Sequence, residues 1–201
     1  FCLCPAATIA GTVFVSNCFD NGDPGDLRHS IAGAHEFDTV DVTFCANSTI
    51  SLHNGEIPVP QNYVTIKGPG VTSLEINGKY NGITQHARIF HHTGSGAISL
   101  RYLTIDSGYL IDTVEAKGGC IHSHGDINIS NVIVGLCEVR TTTNALAGGG
   151  ALYAAGQINA FSSVITGNTA RAGLNGRSVG GGTYSDRKST RLNSSHRCIS
   201  Y

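Results

Sequence analysis

One segment of this chain repeats itself. Gly125–Val134 aligns without a gap on Gly156–Ile165, an offset of 31 residues. The same offset carries His122 to Tyr153 and Tyr153 to Tyr184, through the strings GGCIH, GGALY and GGTYS. Upstream, Gly96–Ile105 matches Gly125–Val134 at an offset of 29, so about three and a half copies of one unit are present. A repeat near thirty residues points to a stacked architecture, because a single unit of that size cannot bury its own apolar face and needs a neighbour on each side.

Within each unit the apolar residues alternate: Ile98 and Leu100, Ile127 and Ile129, then a polar corner, then Ile105, Val134 or Ile165. Period-two alternation over a few residues, broken by Gly, Asn and Ser, predicts short strands with one buried face. No helical period separates them, so the strands are not joined by crossover helices. The chain is therefore expected to be all-β, a parallel β-helix in which each repeat is one coil stacked about 4.8 Å from the next. Less regular strands are expected at Val40–Phe44, Thr49–Leu52, Ile57–Val59, Val64–Ile66, Leu74–Ile76 and Arg88–Phe90, after a buried first strand at Thr12–Val15. One helix is predicted, from an Asp26 N-cap to about Ala34, with Leu27 and Ile31 as its i, i+4 apolar pair. It would cap the open end of the solenoid, where unpaired strand edges invite aggregation.

Composition narrows the function classes. There is no run of 18 apolar residues, so no membrane-spanning helix is expected. A formal net charge of −1 leaves no basic footprint for nucleic acid. The 201 residues include no Met, and the small, uncharged front of residues 1–11 suits the remnant of a secretory signal. At the other end, Asp186–Tyr201 is rich in basic residues and lacks Gly directly after a Gly-rich stretch. Asp186–His196 resembles the translation of a common sequencing adapter, so 186–201 is expected to be an artefact without ordered structure. The domain reading is then a possible signal remnant over 1–11, a cap strand and helix over 12–38, truncated β-helix coils over 39–185, and the tail.

The order of motifs carries a resemblance. Phe14–Asn17, then Asn21–Ile31, Asp38–Phe44, Ile57–Val59 and Val64–Gly70, resembles the head of bacterial secreted right-handed β-helix proteins, the pectate-lyase-like proteins of CSLREA or choice-of-anchor type. GGALYAAG and SSVITGNTA are similar to that family's coil signatures. The resemblance spans residues 12–185 and departs at Asp26, His122 and Cys137, where the family usually has Ser, Tyr and Asn. It implies a right-handed coil and an extracellular, secreted or cell-surface location. It also implies a non-catalytic module for adhesion or binding of an extracellular polysaccharide or a host or cell-surface glycan, and it supplies no agreed catalytic set.

Pectin-active lyases and hydrolases share this fold, which makes a lyase or hydrolase of acidic polysaccharide the alternative. A lyase would need clustered carboxylates for Ca²⁺ and a base beside them. Asp106, Asp112 and Asp126, with Glu115 among them, form the densest acidic group, and Arg140 is the candidate base. Without such a cluster, solvated turn carboxylates are the simpler reading, no catalytic residue is assigned, and Ca²⁺ enters only with the lyase alternative. No Asp-Asp pair is present to supply adjacent carboxylates for an inverting hydrolase.

His91, His122 and His124 are the ligand-binding candidates. An offset of 31 stacks His91 on His122, whereas an offset of 29 would pair His92 with Ile121. Two imidazoles so placed can share a metal, but zinc takes three or four ligands, so no metal site is assigned and a polar stack on the outer face is expected. Six cysteines remain outside the tail; Cys18 with Cys45 would tie the cap to the first coil, while Cys120 reads as a small buried residue because its repeat partners are Ala151 and Gly182.

Overall fold

The computed structural model describes residues 9–79, 87–187 and 191–192, the last two as backbone. Cys2 and Cys4, most of the front segment, His86, and the tail beyond 187 apart from 191–192 lie outside the described residues.

Among the described residues the chain is a parallel β-solenoid of about five turns with one short α-helix, and every strand pair is parallel. Both offsets read from the sequence are real and belong to different parts of the coil. Ile121–Ser123 pairs with Phe90–His92 at 31, so His122 faces His91 and Ser123 faces His92. Asp126–Gly135 pairs with Ala97–Asp106 at 29. The two extra residues sit in the turn Thr93–Gly96 of the upper coil, which lies between these two pairings.

The core is built from in-register apolar rows. Val40, Ile66, Leu100, Ile129 and Ala160 stack directly on one another along the long sheet, all nearly inaccessible to solvent. Ile76, Ile105, Val134 and Ile165 form a parallel row beyond the bend. Each fully buried side chain of this size contributes about 1.5–3 kcal/mol relative to exposure, and stacking like on like lets every coil bury the face of its neighbour. The outward positions of the long sheet are polar: Asn159 donates to Asn128 at 2.9 Å. A second row of polar groups runs inside. The Gln61 amide donates to the Ile31 and Ala34 carbonyls at the end of the helix, His92 Nε2 donates to the Gln61 carbonyl, and His92 Nδ1 accepts from the Ser123 hydroxyl. These three residues are 31 apart and tie the cap to the third coil from within.

The helix, α1 (Leu27–Gly33), starts as predicted: Asp26 accepts from the His29 amide at 2.6 Å, and Leu27 and Ile31 are buried. It packs against strands Thr12–Phe14, Thr39–Asp41 and Ile57–Val59. The first strand departs from expectation. Thr12–Phe14 is the end strand of the long sheet, so Phe14 is exposed while Val15, beyond the strand, is buried. Of the tail, Arg191–Leu192 pairs with Asn159–Ala160 in that same sheet.

The corner before the central sheet explains the Gly pairs. Gly118, Gly149 and Gly180 have φ of 62°, 60° and 58°, and a Cβ on Gly149 would lie 2.2 Å from the Leu152 carbonyl oxygen. An L-residue pays about 1–2 kcal/mol for that backbone region before any clash. Gly149→Ala is therefore expected to cost at least about 2 kcal/mol in urea denaturation. A variant of unchanged stability would show that this corner relaxes freely.

Candidate functional site

The central five-stranded sheet orders Thr183–Ser185, Leu152–Ala154, Ile121–Ser123, Phe90–His92 and Ile57–Val59. Its middle positions form one outward row: Pro58, His91, His122, Tyr153 and Tyr184. Beside it stands a flange of two three-stranded parallel sheets. One holds Tyr109–Asp112, Glu138–Thr141 and Thr169–Arg171; the other holds Glu115–Lys117, Leu146–Gly148 and Arg177–Val179. The flange has its own small core of Ala116, Val139 and Ala147, with Leu110, Ala170 and Ala172 against it. Its small side chains let the two sheets approach closely. Floor and flange together enclose a cleft of about 560 Å³.

The row is a stack of rings. His91 and His122 lie parallel with centroids 5.1 Å apart, and His124 meets both edge-on at 5.6 and 5.3 Å. His122 meets Tyr153 edge-on at 5.3 Å, and Tyr153 stacks on Tyr184 at 5.4 Å. The expected His91–His122 stack is therefore present, and the alternative pairing of His92 with Ile121 is replaced by Ser123 facing His92. His92 points inward and is fully buried.

Charged groups lock the row from one side. Glu56 accepts from His91 Nδ1 at 3.0 Å with one oxygen and from Arg88 at 2.9 Å with the other. Arg88 also donates to the Gly118 carbonyl, which spends its guanidinium on structure. The hydrogen bond from His91, aided by Arg88 and opposed by burial, holds the Glu56 carboxyl below its ordinary range. Burial pushes His122 down to about 3, with Arg88 and the neighbouring imidazoles acting in the same direction, so its ring is neutral at physiological pH. Tyr153 is pushed up to about 12 by burial and by its 2.9 Å hydrogen bond to Asp186, against the pull of Lys117, whose ammonium lies 4.8 Å over the ring. Lys117 also pairs with Glu115 at 2.7 Å.

The acidic candidates do not meet. Asp112 lines the cleft. Asp106 and Asp126 sit at opposite ends of the bent ladder between Ala97–Asp106 and Asp126–Gly135. Asp106 is held above the ordinary carboxylate range, first by burial and then by Glu75. Asp126 accepts from the Gln157 amide at 2.7 Å and so secures the next coil. Arg140 is exposed on the flange, opposite Ile111 and Arg171. Asp106 and Asp112 each end a strand, directly before a turn. Among the described residues, His91, His122 and His124 are the one group of three or more potential metal-ligating side chains whose donor atoms close together, all within 4.8 Å of one another.

The cysteines both support and correct the sequence reading. Cys18 is bonded to Cys45, as expected. Cys120 is bonded to Cys137, so the small-residue account of Cys120 does not hold. The two lie within one coil, 17 residues apart, where the repeat comparison with Ala151 gives no sign of a bond. Glu56, Arg88 and Lys117 also belong to the site, and none of them carries a signal in the repeat. No helix among the described residues is long and apolar enough to cross a membrane. Comparison with protein-family models, curated proteins and solved structures finds no match for the chain.

Proposed function

We propose that the chain is a non-catalytic extracellular module that binds a segment of polysaccharide or surface glycan along the cleft, in the service of adhesion. The observation that carries this reading is the continuous row from His91 to Tyr184, walled on one side by the flange. Its strand spacing of about 4.8 Å, repeated over several coils, gives an extended ligand many small polar and ring contacts along a rigid floor. Tyr153 is covered by Lys117 and Asp186, so contact inside the cleft falls to His91, His122 and His124, and Tyr184 continues the row beyond it. Two disulfides are compatible with an oxidising compartment, and the resemblance to secreted right-handed, pectate-lyase-like bacterial proteins points the same way. The lyase alternative has only Asp112 of its four residues in the cleft.

A glycan array followed by titration of the retained oligosaccharide tests this. Saturable binding with the saccharide recovered intact is expected, and Tyr184→Ala is expected to weaken it about 10-fold, as for the loss of one ring contact. Recovery of unsaturated or shortened products, or the absence of binding to polygalacturonate and the other acidic and neutral glycans at millimolar concentration, would overturn the reading.

A further inference from the structure

We infer that His91, His122 and His124 form a binding site for a divalent transition ion of the zinc and copper class, with Glu56 as the group that orients the first ligand. The inference stands apart from the glycan reading, since it concerns the metal alone.

It begins with His91. Glu56 can only accept, so the hydrogen bond at 3.0 Å places a proton on Nδ1, and in the neutral ring the lone pair is then on Nε2. That Nε2 is buried and has no hydrogen-bond partner. A buried acceptor without a partner costs about 1–3 kcal/mol, and a bound cation would satisfy it. A carboxylate on the far nitrogen is also how metal-ligating imidazoles are commonly held, because it fixes the tautomer and raises the basicity of the donor. Glu56 is itself clamped by Arg88, which is bonded in turn to the Gly118 carbonyl.

His122 and His124 complete the set. One comes from the strand one coil below, the other from the turn that follows it, and one donor atom from each of the three lies within 4.8 Å of the others. Zinc–nitrogen bonds of about 2.0–2.1 Å in a tetrahedron put the nitrogens about 3.4 Å apart. Closing the donor atoms from within 4.8 Å to that spacing takes rotation of the exposed His124 side chain and a tilt of His122 out of its parallel stack on His91, which Glu56 holds in place. Three imidazoles suit zinc, copper and nickel rather than calcium or magnesium, which prefer oxygen. The cleft lining favours a cation, with the carboxylates Glu56, Asp112, Glu115 and Asp186 against Arg88 and Lys117, both of which are already paired. Three protein ligands leave a fourth position for water or a ligand oxygen.

The test is titration of the full chain with Zn²⁺ and, separately, Co²⁺, without glycan, after stripping with chelator. One equivalent is expected at the imidazoles, shifting the ring signals of His91, His122 and His124 in the NMR spectrum and giving the visible bands of tetrahedral Co²⁺. His124→Ala removes an exposed ligand and spares the core, and is expected to weaken Zn²⁺ binding at least 100-fold. Glu56→Gln is expected to weaken it about 10–100-fold. Zinc affinity unchanged in His124→Ala, or ring signals of the three histidines unmoved at saturation, would overturn the inference. Tyr184→Ala should leave zinc binding intact, which separates failure of the metal site from failure of the glycan reading.

Discussion

Arg28→Ala is expected to remove about 3–5 kcal/mol of stability, the range for breaking a buried ion pair from one side. Asp20 is almost wholly buried and accepts from Arg28 Nε at 2.8 Å and Nη2 at 3.0 Å, from the His53 amide at 2.8 Å and from the Asn54 amide at 3.1 Å. Two of the three other guanidinium hydrogens go to the Glu56 and Gly55 carbonyls, both at 2.7 Å. One side chain on α1 thus joins the helix to the loop that leads into the central sheet. Its loss leaves a carboxylate and two carbonyls without their partner. Burial pushes the Asp20 carboxyl up, but Arg28 and the two backbone amides outweigh it, and its net position is below the ordinary value. A carboxyl depressed in the folded state contributes stability above the unfolded value of about 4, and this is lost as pH falls through the folded value. Urea denaturation should therefore show the wild type weakening below about pH 4. The deficit of Arg28→Ala should narrow over the same range, as Asp20 takes up a proton. A deficit under 1 kcal/mol at pH 7 would show that water replaces the guanidinium at little cost.

The second large effect belongs to Cys120–Cys137. Closing a loop of 17 residues restricts the unfolded chain by about 3 kcal/mol on the chain-entropy account, and the separation of 27 at Cys18–Cys45 gives about 3.5 kcal/mol. The bond crosses its own coil, joining the residue before strand Ile121–Ser123 to the residue before strand Glu138–Thr141. It therefore fixes the base of the flange relative to the floor of the cleft. Cys120→Ala with Cys137→Ala is the suitable variant, because Ala151 already occupies the equivalent buried position in the next coil. It is expected to lose about 3 kcal/mol, while reduction of the wild type, which opens both bonds, should lose more. Equal stability of the double variant and the wild type would remove the bond from the account.

How much of this was legible follows from where the pattern is strong. The long sheet was readable because its inward residues are Val, Ile and Leu at alternate positions, and the cap because Asp26, Leu27 and Ile31 carry both start signal and apolar pair. The floor was harder. Phe90, His91 and His92 show no apolar alternation, and two extra residues in the turn Thr93–Gly96 leave two offsets equally plausible. Glu56 lay beyond reach because the coil above is longer still: Pro58 faces His91 at an offset of 33, outside the repeat. The flange was invisible for another reason. Its core is Ala116, Val139 and Ala147, and alanines set among Glu, Lys and Thr leave little trace in hydrophobic periodicity.

The claim on which cleft, metal site and glycan reading all depend is the 31-residue register of the floor. It is tested most directly by NOE contacts between assigned ring protons in the unmodified chain. Cross-peaks joining His91 to His122 and His122 to Tyr153 are predicted, from ring centroids 5.1 and 5.3 Å apart. Cross-peaks joining the His92 ring to Ile121 in place of those pairs would contradict the register and everything built on it.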